Sequence, residues 1–268
     1  MNQEVSILIP HYKTLKMTQL CLQLIEKNTD LSKVEVIVID NGSNDASSEY
    51  LKSVNWITLI IRDKIEGESG AHAHGNALDL ALGSVKTSYF LSIHTDTFVI
   101  DPDWLTFLLG QIKIEDNLAG VGSWKLEFKP LYKRVLKHLE TFWQLKIWYP
   151  IMGKGSGAIA GVGDNYYYLR SHCALYKTDC VRNYANGFND GGEPAGKLMH
   201  RKLVDSGFKM KFLESSELSK YVRHLNHATA ILNPELHGTG TAKPKQIARI
   251  RKELNEIAGS VLIEGEQF

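Results

Sequence analysis

Cysteine is scarce in this 268-residue chain: Cys21, Cys173 and Cys180 are all there are, and none belongs to a Cys-x-x-Cys spacing. Three cysteines cannot all pair, so a disulfide framework is excluded and a reducing compartment is the expectation. Long apolar runs are missing too. No stretch approaches the ~20 residues needed to span a bilayer. The opening Met-Asn-Gln-Glu-Val has no basic segment leading into an apolar one, so it does not read as a signal peptide. A cytoplasmic protein is the expectation, with association at the inner face of a membrane left open. Nor is there an excess of charge of one sign. Lys and Arg number 31 against 30 Asp and Glu, a net charge of +1, so no global field points to nucleic acid as a partner. There is no internal repeat, and no linker cleanly splits the chain.

What is present is an ordinary soluble composition, 43% apolar and 23% charged, in a chain long enough to bury a sizeable core as one large domain or two small ones. The most informative stretch is Val-Ile-Val-Ile-Asp-Asn-Gly-Ser-Asn-Asp at 36–45. A β-branched run ends in Asp40 and a polar turn follows at once. Upstream, Val-Ser-Ile-Leu-Ile-Pro at 5–10 is a second apolar strand and leads into His11 and Tyr12. Downstream, Tyr-Phe-Leu-Ser-Ile at 89–93 is a third and leads into His94, Thr95 and Asp96. Between these strands the spacing predicts an amphipathic helix over 14–28, a helix over 43–53 capped by Ser43 or Asn44, a short buried strand over 57–61, a loop at 67–70 and an Ala/Leu-rich helix over 71–82. This β-α-β-α-β alternation implies a mainly parallel, Rossmann-like sheet flanked by helices. Ligands of such sheets bind beyond the carboxyl ends of the strands, where Asp40 and Asp96 stand.

The second half is less regular. Helices are expected over 103–112, 131–148, 195–206 and 244–257, and strands over 121–128, 166–176 and 209–212. The 131–148 segment carries Lys133, Arg134, Lys137 and Lys146 with Phe142, Trp143 and Trp148. Such a helix suits an anionic membrane surface, although core aromatics with solvated lysines produce the same pattern. The Gly-rich 153–163 reads as a mobile loop, either a lid or plain surface. It matches Gly-x-Gly-x-x-Ala by letter but follows no β-branched strand, and no Ser or Thr follows its Lys, so it is neither a dinucleotide fingerprint nor a P-loop. His72 and His74 are two apart, which puts them on different sides of a helix.

Taken in order, the strand ending in Pro10-x-Tyr12, then Asp40-Asn-Gly-Ser-x-Asp45, Gly70-Ala-x-Ala-His-Gly-Asn76, a third strand ending in Asp96, and Asp101-Pro-Asp-Trp-Leu105 resemble family-2 glycosyltransferases of the GT-A fold. The resemblance covers roughly the first 105 residues well and the remainder loosely. It implies one α/β domain of GT-A type, with a nucleotide-sugar-binding half (1–105), an acceptor-binding half (106–240) and a C-terminal helix and tail (241–268). It also implies a hexosyltransferase-like enzyme that moves a sugar, with inversion, from a nucleotide-diphosphate sugar to a saccharide acceptor. That acceptor could be lipid-linked, as in surface polysaccharide biosynthesis.

The roles implied have a physical logic. Asp40 would accept the ring N–H of uracil or thymine, favouring UDP- or dTDP-linked sugars. Pro10, His11, Tyr12, Gly42, Ser43, Gly70, Asn76, His94 and Thr95 would complete the sugar-donor site. Asp96 would hold Mn²⁺ or Mg²⁺, ions that favour carboxylate and diphosphate oxygens. His224, within Arg223-His224-Leu-Asn-His227-Ala-Thr229, would complete the metal shell in preference to His227.

Two departures from the family pattern stand out. The usual Asp-x-Asp reads His94-Thr95-Asp96, so His94 would face the ribose or a water. The usual Glu-Asp pair is replaced by Gly187-Phe-Asn-Asp190-Gly-Gly-Glu193-Pro-Ala-Gly. The general base is then Glu193, favoured because Pro194 suits a first helical turn, or Asp190. Asp40 can equally serve only to cap the following helix. A sugar-phosphate nucleotidyltransferase would need a Gly-rich basic loop after the first strand, which Pro10-His-Tyr-Lys-Thr14 is not. A non-catalytic module for sugar nucleotides or glycans would bind donor without turnover.

Overall fold

The computed structural model of the chain describes residues 3–126, 136, 139–140, 142–148, 151, 165–189, 193–225, 228, 231 and 244–259. Asp190, His227, loop 153–163 and part of 131–148 lie outside the described residues. In chain order the elements are β1 (Val5–His11), α1 (Leu15–Asn28), β2 (Val34–Asp40), α2 (Ala46–Ser53), β3 (Thr58–Ile61), α3 (Gly70–Ser84), β4 (Tyr89–Ile93), β5 (Thr97–Val99), α4 (Trp104–Ile112) and β6 (Leu118–Gly122). There follow β7 (Cys173–Lys177), α5 (Thr178–Tyr184), α6 (Lys197–Asp205), β8 (Lys209–Phe212), α7 (Ser215–Leu218), β9 (Val222–His224) and α8 (Pro244–Ala258). A π-helical turn spans Gln144–Trp148.

Seven strands form one sheet in the order β3-β2-β1-β4-β7-β6-β8. All its pairings are parallel except those of β7, which runs against both β4 and β6. A separate antiparallel pair joins β5 to β9. Strand alternation divides the core. Ile7, Ile9, Val36 and Val38 face one side, where Leu20 and Leu24 of α1, Trp104 and Leu108 of α4, and Leu254 of α8 cover them. Leu8 and Ile37 face the other, under Leu78 and Ala81 of α3, Val181 of α5 and Leu203 of α6. Strands buried on both faces are largely apolar, which is why β1, β2 and β4 read as near-continuous hydrophobic runs.

Several elements depart from the sequence expectation. α2 begins at Ala46, not at 43, and its cap is Asp45, whose carboxylate accepts Ser47 N–H at 2.9 Å. Asn44 is in the left-handed region (φ 49°) and so belongs to the turn. β3 is the sheet edge: Thr58 and Ile61 are exposed, so it is not a buried strand. β6 ends at Gly122, and residues 166–172 are outside any strand, with only β7 formed from that region. Residue 196 is a glycine at φ 80°, and α6 starts after it. Pro194 therefore sits in the preceding turn, and its fit to a first helical turn no longer argues for Glu193.

His11 ends β1 fully buried, with Nδ1 2.8 Å from Thr18 Oγ1 of α1 and Nε2 2.8 Å from Ser47 Oγ of α2. His200 of α6 accepts Leu169 N–H at 3.3 Å through Nδ1. Burial pushes the pKa of each down to about 4. Unfolded histidine titrates near 6.5. Between those values the unfolded chain takes up protons that the folded chain refuses, so stability is present above pH 6.5 and is lost as pH falls toward 4. Thermal melts should show a loss on the order of 1–2 kcal/mol per histidine at pH 5 relative to pH 7.5. The His11→Gln chain should lose part of that slope; equal slopes would refute the assignment.

Candidate active site

Strand direction builds the site. β1, β2, β4 and β6 all end at one edge of the sheet and deliver Tyr12, Asn41, His94 and Trp124 to it. β7 runs the other way, so its beginning lies there: Cys173 pairs with Ile93. Arg170, Ser171 and His172, which lead into β7, therefore stand beside His94. The β5–β9 pair adds the last piece. Thr97 pairs with His224, and Leu225 N–H donates to the Asp96 carbonyl at 2.9 Å, fixing His224 next to Asp96. Together these residues line a cleft of about 710 Å³.

Of the residues expected to bind the sugar donor, Pro10, His11, Tyr12, Gly70, His94 and Thr95 line this cleft, as do Asp96 and His224. Asp40 does not. Its Oδ1 accepts Ser43 N–H at 3.0 Å and Ser43 O–H at 2.5 Å, and its Oδ2 accepts Ser48 O–H at 2.5 Å. Both oxygens thus help tie β2 to the start of α2, and it is the next residue, Asn41, that faces the cleft. Ser43 is equally structural, accepting Lys13 N–H at 3.0 Å. Gly42 is in the left-handed region, and a Cβ there would lie 2.9 Å from Lys64 N. His11 reaches the cleft wall, but both ring nitrogens are occupied as described. Asn76 acts one layer back. Arg62 donates to Asn41 Oδ1 at 3.2 Å and to Glu68 Oε1 at 2.5 Å, Asn76 donates to the same Glu68 oxygen at 2.6 Å, and Asn189 donates to Asn76 Oδ1 at 2.6 Å. The Arg62 hydrogen bond holds the Glu68 carboxyl below the usual range.

Asp96 is the chemical centre. It is buried, and Oδ1 is one of two buried side-chain polar atoms without a hydrogen-bond partner among the described residues. Around it stand four imidazoles. His224 Nδ1 is 3.4 Å and His94 Nδ1 3.9 Å from that oxygen. The His172 ring stacks on His224 at 4.7 Å, and the His74 ring meets His94 edge-on at 4.7 Å. Burial holds His74 down at about 4 and His94 and His172 well below the usual histidine value. All three are therefore neutral at pH 7 and offer lone pairs. An orphaned carboxylate oxygen facing neutral imidazoles is a donor set that fits a divalent cation. Asp96 with His224 would hold it; Thr97 Oγ1, 2.9 Å from His224 Nδ1, fixes the orientation of that ring.

Arg62, Lys64, Glu68, Trp124, Lys125, Tyr168, Arg170, Ser171 and His172, none of them marked by a motif, also line the cleft. The spacing of His72 and His74 predicts that they face different ways. His72 is exposed and His74 faces the cleft. Arg170 lies over the rings of Trp124 and Tyr168, 5.0 and 5.1 Å from their centroids. Glu193 stands at the rim: its neighbours Pro194 and Ala195 line the cleft, while its carboxylate, half-exposed, accepts from Lys197 at 2.8 Å.

Residues 6–184, more than half of the chain, match the family described as glycosyl transferase family 2. The chain belongs to that family. The curated relatives match over short stretches. Glycosyltransferase AglE of Haloferax volcanii is 33% identical over 76 residues, 26% of this chain and 25% of that protein. An uncharacterized glycosyltransferase of Haemophilus influenzae is 25% identical over 97 residues, 36% and 29% of the two chains. The match thus spans between a quarter and a third of those relatives.

Among solved structures, the mannosyltransferase PcManGT of Pyrobaculum calidifontis, in complex with GDP-Man and Mn²⁺, superposes with a TM-score of 0.53 at 16% identity, over 97% of this chain and 74% of that one. Glucosyl-3-phosphoglycerate synthase of Mycobacterium tuberculosis, in complex with Mn²⁺, UDP and glucosyl-3-phosphoglycerate, gives 0.51 at 15%, over 98% and 82%. At these identities the likeness shows the fold, GT-A. The nucleotidyltransferase alternative gives way to the family match.

Asp40→Ala should leave the Ser43 amide and two serine hydroxyls without their acceptor. A loss of about 2–4 kcal/mol in urea unfolding is expected. A variant as stable as the parent would return Asp40 to the ligand-binding role.

Proposed function

We propose that this family-2 glycosyltransferase is metal-dependent and inverting, taking its sugar from a nucleoside-diphosphate donor. The observation that carries the reading is Asp96 Oδ1, buried without a partner in a cleft lined by neutral imidazoles and by Lys64, Lys125 and Arg170. When bound, a Mn²⁺ or Mg²⁺ ion supplies Lewis-acid stabilisation of the departing diphosphate. The chain's own residues do the rest. Asn41, fixed through its carbonyl by Arg62, presents its amide N–H₂ to the base. Tyr12 and Pro10 wall the nucleoside pocket. Arg170, held against two aromatic faces, is aimed at anionic oxygen. Glu193, positioned by Lys197 at the rim, or Asp190 takes the proton from the acceptor hydroxyl as it attacks the anomeric carbon. Residues 1–105 form the sugar-donor half and 106–240 the acceptor half.

The acceptor half also bears on location. Leu136, Leu139, Phe142, Trp143, Trp148 and Ile151 are each more than half exposed, within a sequence that carries Lys133, Arg134, Lys137 and Lys146 against a single acid, Glu140. Exposed aromatics beside basic charge fit an anionic lipid surface, so the acceptor we favour is a lipid-linked saccharide. Among the described residues no helix is long and apolar enough to cross a membrane. The three cysteines are unpaired, which suits a reducing compartment at the inner face.

Calorimetric titration with UDP, TDP, GDP and CMP, each with and without Mn²⁺, tests the site. One diphosphate should bind and require the metal. Asp96→Ala should abolish the metal-dependent part, and Asn41→Ala should weaken binding about tenfold. Glu193→Gln should leave affinity intact while turnover of the matching sugar nucleotide falls about 10²-fold or more. Binding to none of the four, or metal-dependent binding in Asp96→Ala, overturns the reading; binding without any turnover in the parent chain makes it a non-catalytic module.

Vesicle co-sedimentation tests the surface. Phosphatidylglycerol vesicles should retain the protein at least ~10-fold better than phosphatidylcholine vesicles, and Trp143→Ala with Trp148→Ala should remove the difference. Equal, weak retention by both lipids would detach 131–148 from the membrane.

A further inference from the structure

His94 occupies a position that neither a purely structural histidine nor a ribose contact explains well. Its Nδ1 faces Asp96 Oδ1 at 3.9 Å, too far for a hydrogen bond. Two ligand bonds of about 2.1 Å at octahedral or tetrahedral angles put their donor atoms roughly 3.0–3.4 Å apart, so a closing movement of about half an ångström or more would bring both groups onto one cation. Its Nε2 is 2.9 Å from Ser171 Oγ, and Ser171 Oγ is 3.0 Å from His74 Nε2. A hydroxyl has one proton, so Ser171 donates to one of these rings and accepts from the other. If it donated to His94, His94 Nδ1 would carry its own proton and would be drawn onto the charged, partnerless Asp96 oxygen at hydrogen-bond distance. The gap assigns the opposite arrangement. His94 Nε2–H donates to Ser171, Ser171 donates to His74 Nε2, and His94 Nδ1 is a lone pair facing Asp96.

We propose that His94 Nδ1 is a third protein ligand of the divalent ion, beside Asp96 and His224, and that Ser171, backed by His74, is the positioning residue that fixes its tautomer. This rests on the reading that Asp96 and His224 hold a metal. Among the described residues no three carboxylate, thiolate or imidazole groups are already set around one point for a metal ion. The His94 ring and the Asp96 carboxylate therefore close on the ion as it binds. Two imidazoles and one carboxylate form a borderline donor set, whereas Mg²⁺ favours oxygen throughout. The consequence is metal choice: the site selects Mn²⁺ or Co²⁺ over Mg²⁺ because an imidazole stands where a carboxylate would have served both equally.

The test is metal binding itself, on the full chain with saturating UDP and, separately, GDP. Pulsed electron paramagnetic resonance of bound Mn²⁺ should count two coordinated imidazole nitrogens in the parent and one in His94→Gln. Co²⁺ titration, followed by visible absorption, should show affinity falling at least ~10-fold in His94→Gln and about 10-fold in Ser171→Ala, with Mg²⁺ affinity changed less than ~3-fold. His94→Asp should shift preference toward Mg²⁺. An unchanged nitrogen count and Co²⁺ affinity in His94→Gln overturns the proposal and leaves Asp96 and His224 in place. If that variant folds poorly by circular dichroism, Ser171→Ala carries the test, since it removes no ring, and unchanged Co²⁺ affinity there is equally fatal. Failure of the underlying reading looks different: Asp96→Ala would bind Mn²⁺ as well as the parent, or the parent would bind none.

Discussion

A buried carboxylate oxygen without a hydrogen-bond donor is expensive, by about 1–3 kcal/mol or more for a charged group, and folded proteins retain few of them. Asp96 Oδ1 is such an atom, and much of the surrounding architecture keeps it that way. β4 ends at Ile93, three residues before it. β5 begins immediately after it and pairs with β9, an arrangement whose consequence is to bring His224 to its side. The nearby rings have nitrogens engaged elsewhere: His94 and His74 on Ser171, His172 on Ser123, and His224 through Nδ1 on Thr97, the same nitrogen that stands 3.4 Å from Asp96 Oδ1. Groups that could have satisfied Asp96 are turned to other partners, so its charge remains directed into the cleft. Its influence reaches the interior as well, where burial first and then the Asp96 charge push the Cys21 thiol upward.

The reversed direction of β7 is the second constraint. In a wholly parallel sheet every functional side chain comes from a strand's carboxyl end. Here the one antiparallel strand brings its amino end to the same edge. Arg170, Ser171 and His172 therefore enter the cleft from a segment with no strand periodicity of its own. The network behind the cleft depends on similar long-range closure. Asp79 of α3 accepts Phe188 N–H at 2.5 Å and Asn189 N–H at 2.9 Å, and Gly187 is at φ 99°, where a Cβ would lie 2.2 Å from Asp79 Oδ1. The chain leading to Glu193 is thereby anchored to the helix that carries His74 and Asn76. The Arg62–Glu68–Asn76–Asn189 string then links the end of β3 to the turn after Gly187 through continuous hydrogen bonds.

This division explains what could be read from sequence. β1, β2, β4, α1 and α3 were legible because their apolar spacing is local, and Asp96 because it follows a recognisable strand; His224 was reached only through the family resemblance, since nothing local announces β9. Asp40 shows where local pattern is ambiguous. A strand-end carboxylate followed by Ser and Asn signals both a ligand site and a helix cap, and the difference lies in whether Ser43 and Ser48 fold back onto it. The cap reading and the ligand reading predict the same letters. Asn41, one residue on, carried no signal because an amide after a strand-end Asp looks like an ordinary turn. Ser171 and His172 were invisible for a different reason: their place is set by pairing between β4 and β7, some eighty residues apart in sequence, and no local periodicity encodes it.

Charge balance ties these particulars to chemistry. Glu68 is neutralised by Arg62, so Asp96 is the cleft's one uncompensated carboxylate among the described lining residues, while Lys64, Lys125 and Arg170 bring positive charge. On the proposed reading, a divalent ion on Asp96 leaves that pair with a net +1 for an incoming diphosphate. A second carboxylate at position 94 would cancel it. At about 4 Å from a phosphate oxygen it would cost on the order of 4 kcal/mol in repulsion at the effective dielectric of a protein surface. An imidazole supplies a lone pair to the metal without that charge. On that reading, replacing Asp by His in the strand-end motif exchanges some affinity for hard ions against a stronger field for the leaving group, and the Ser171–His74 pair behind it orients the ring.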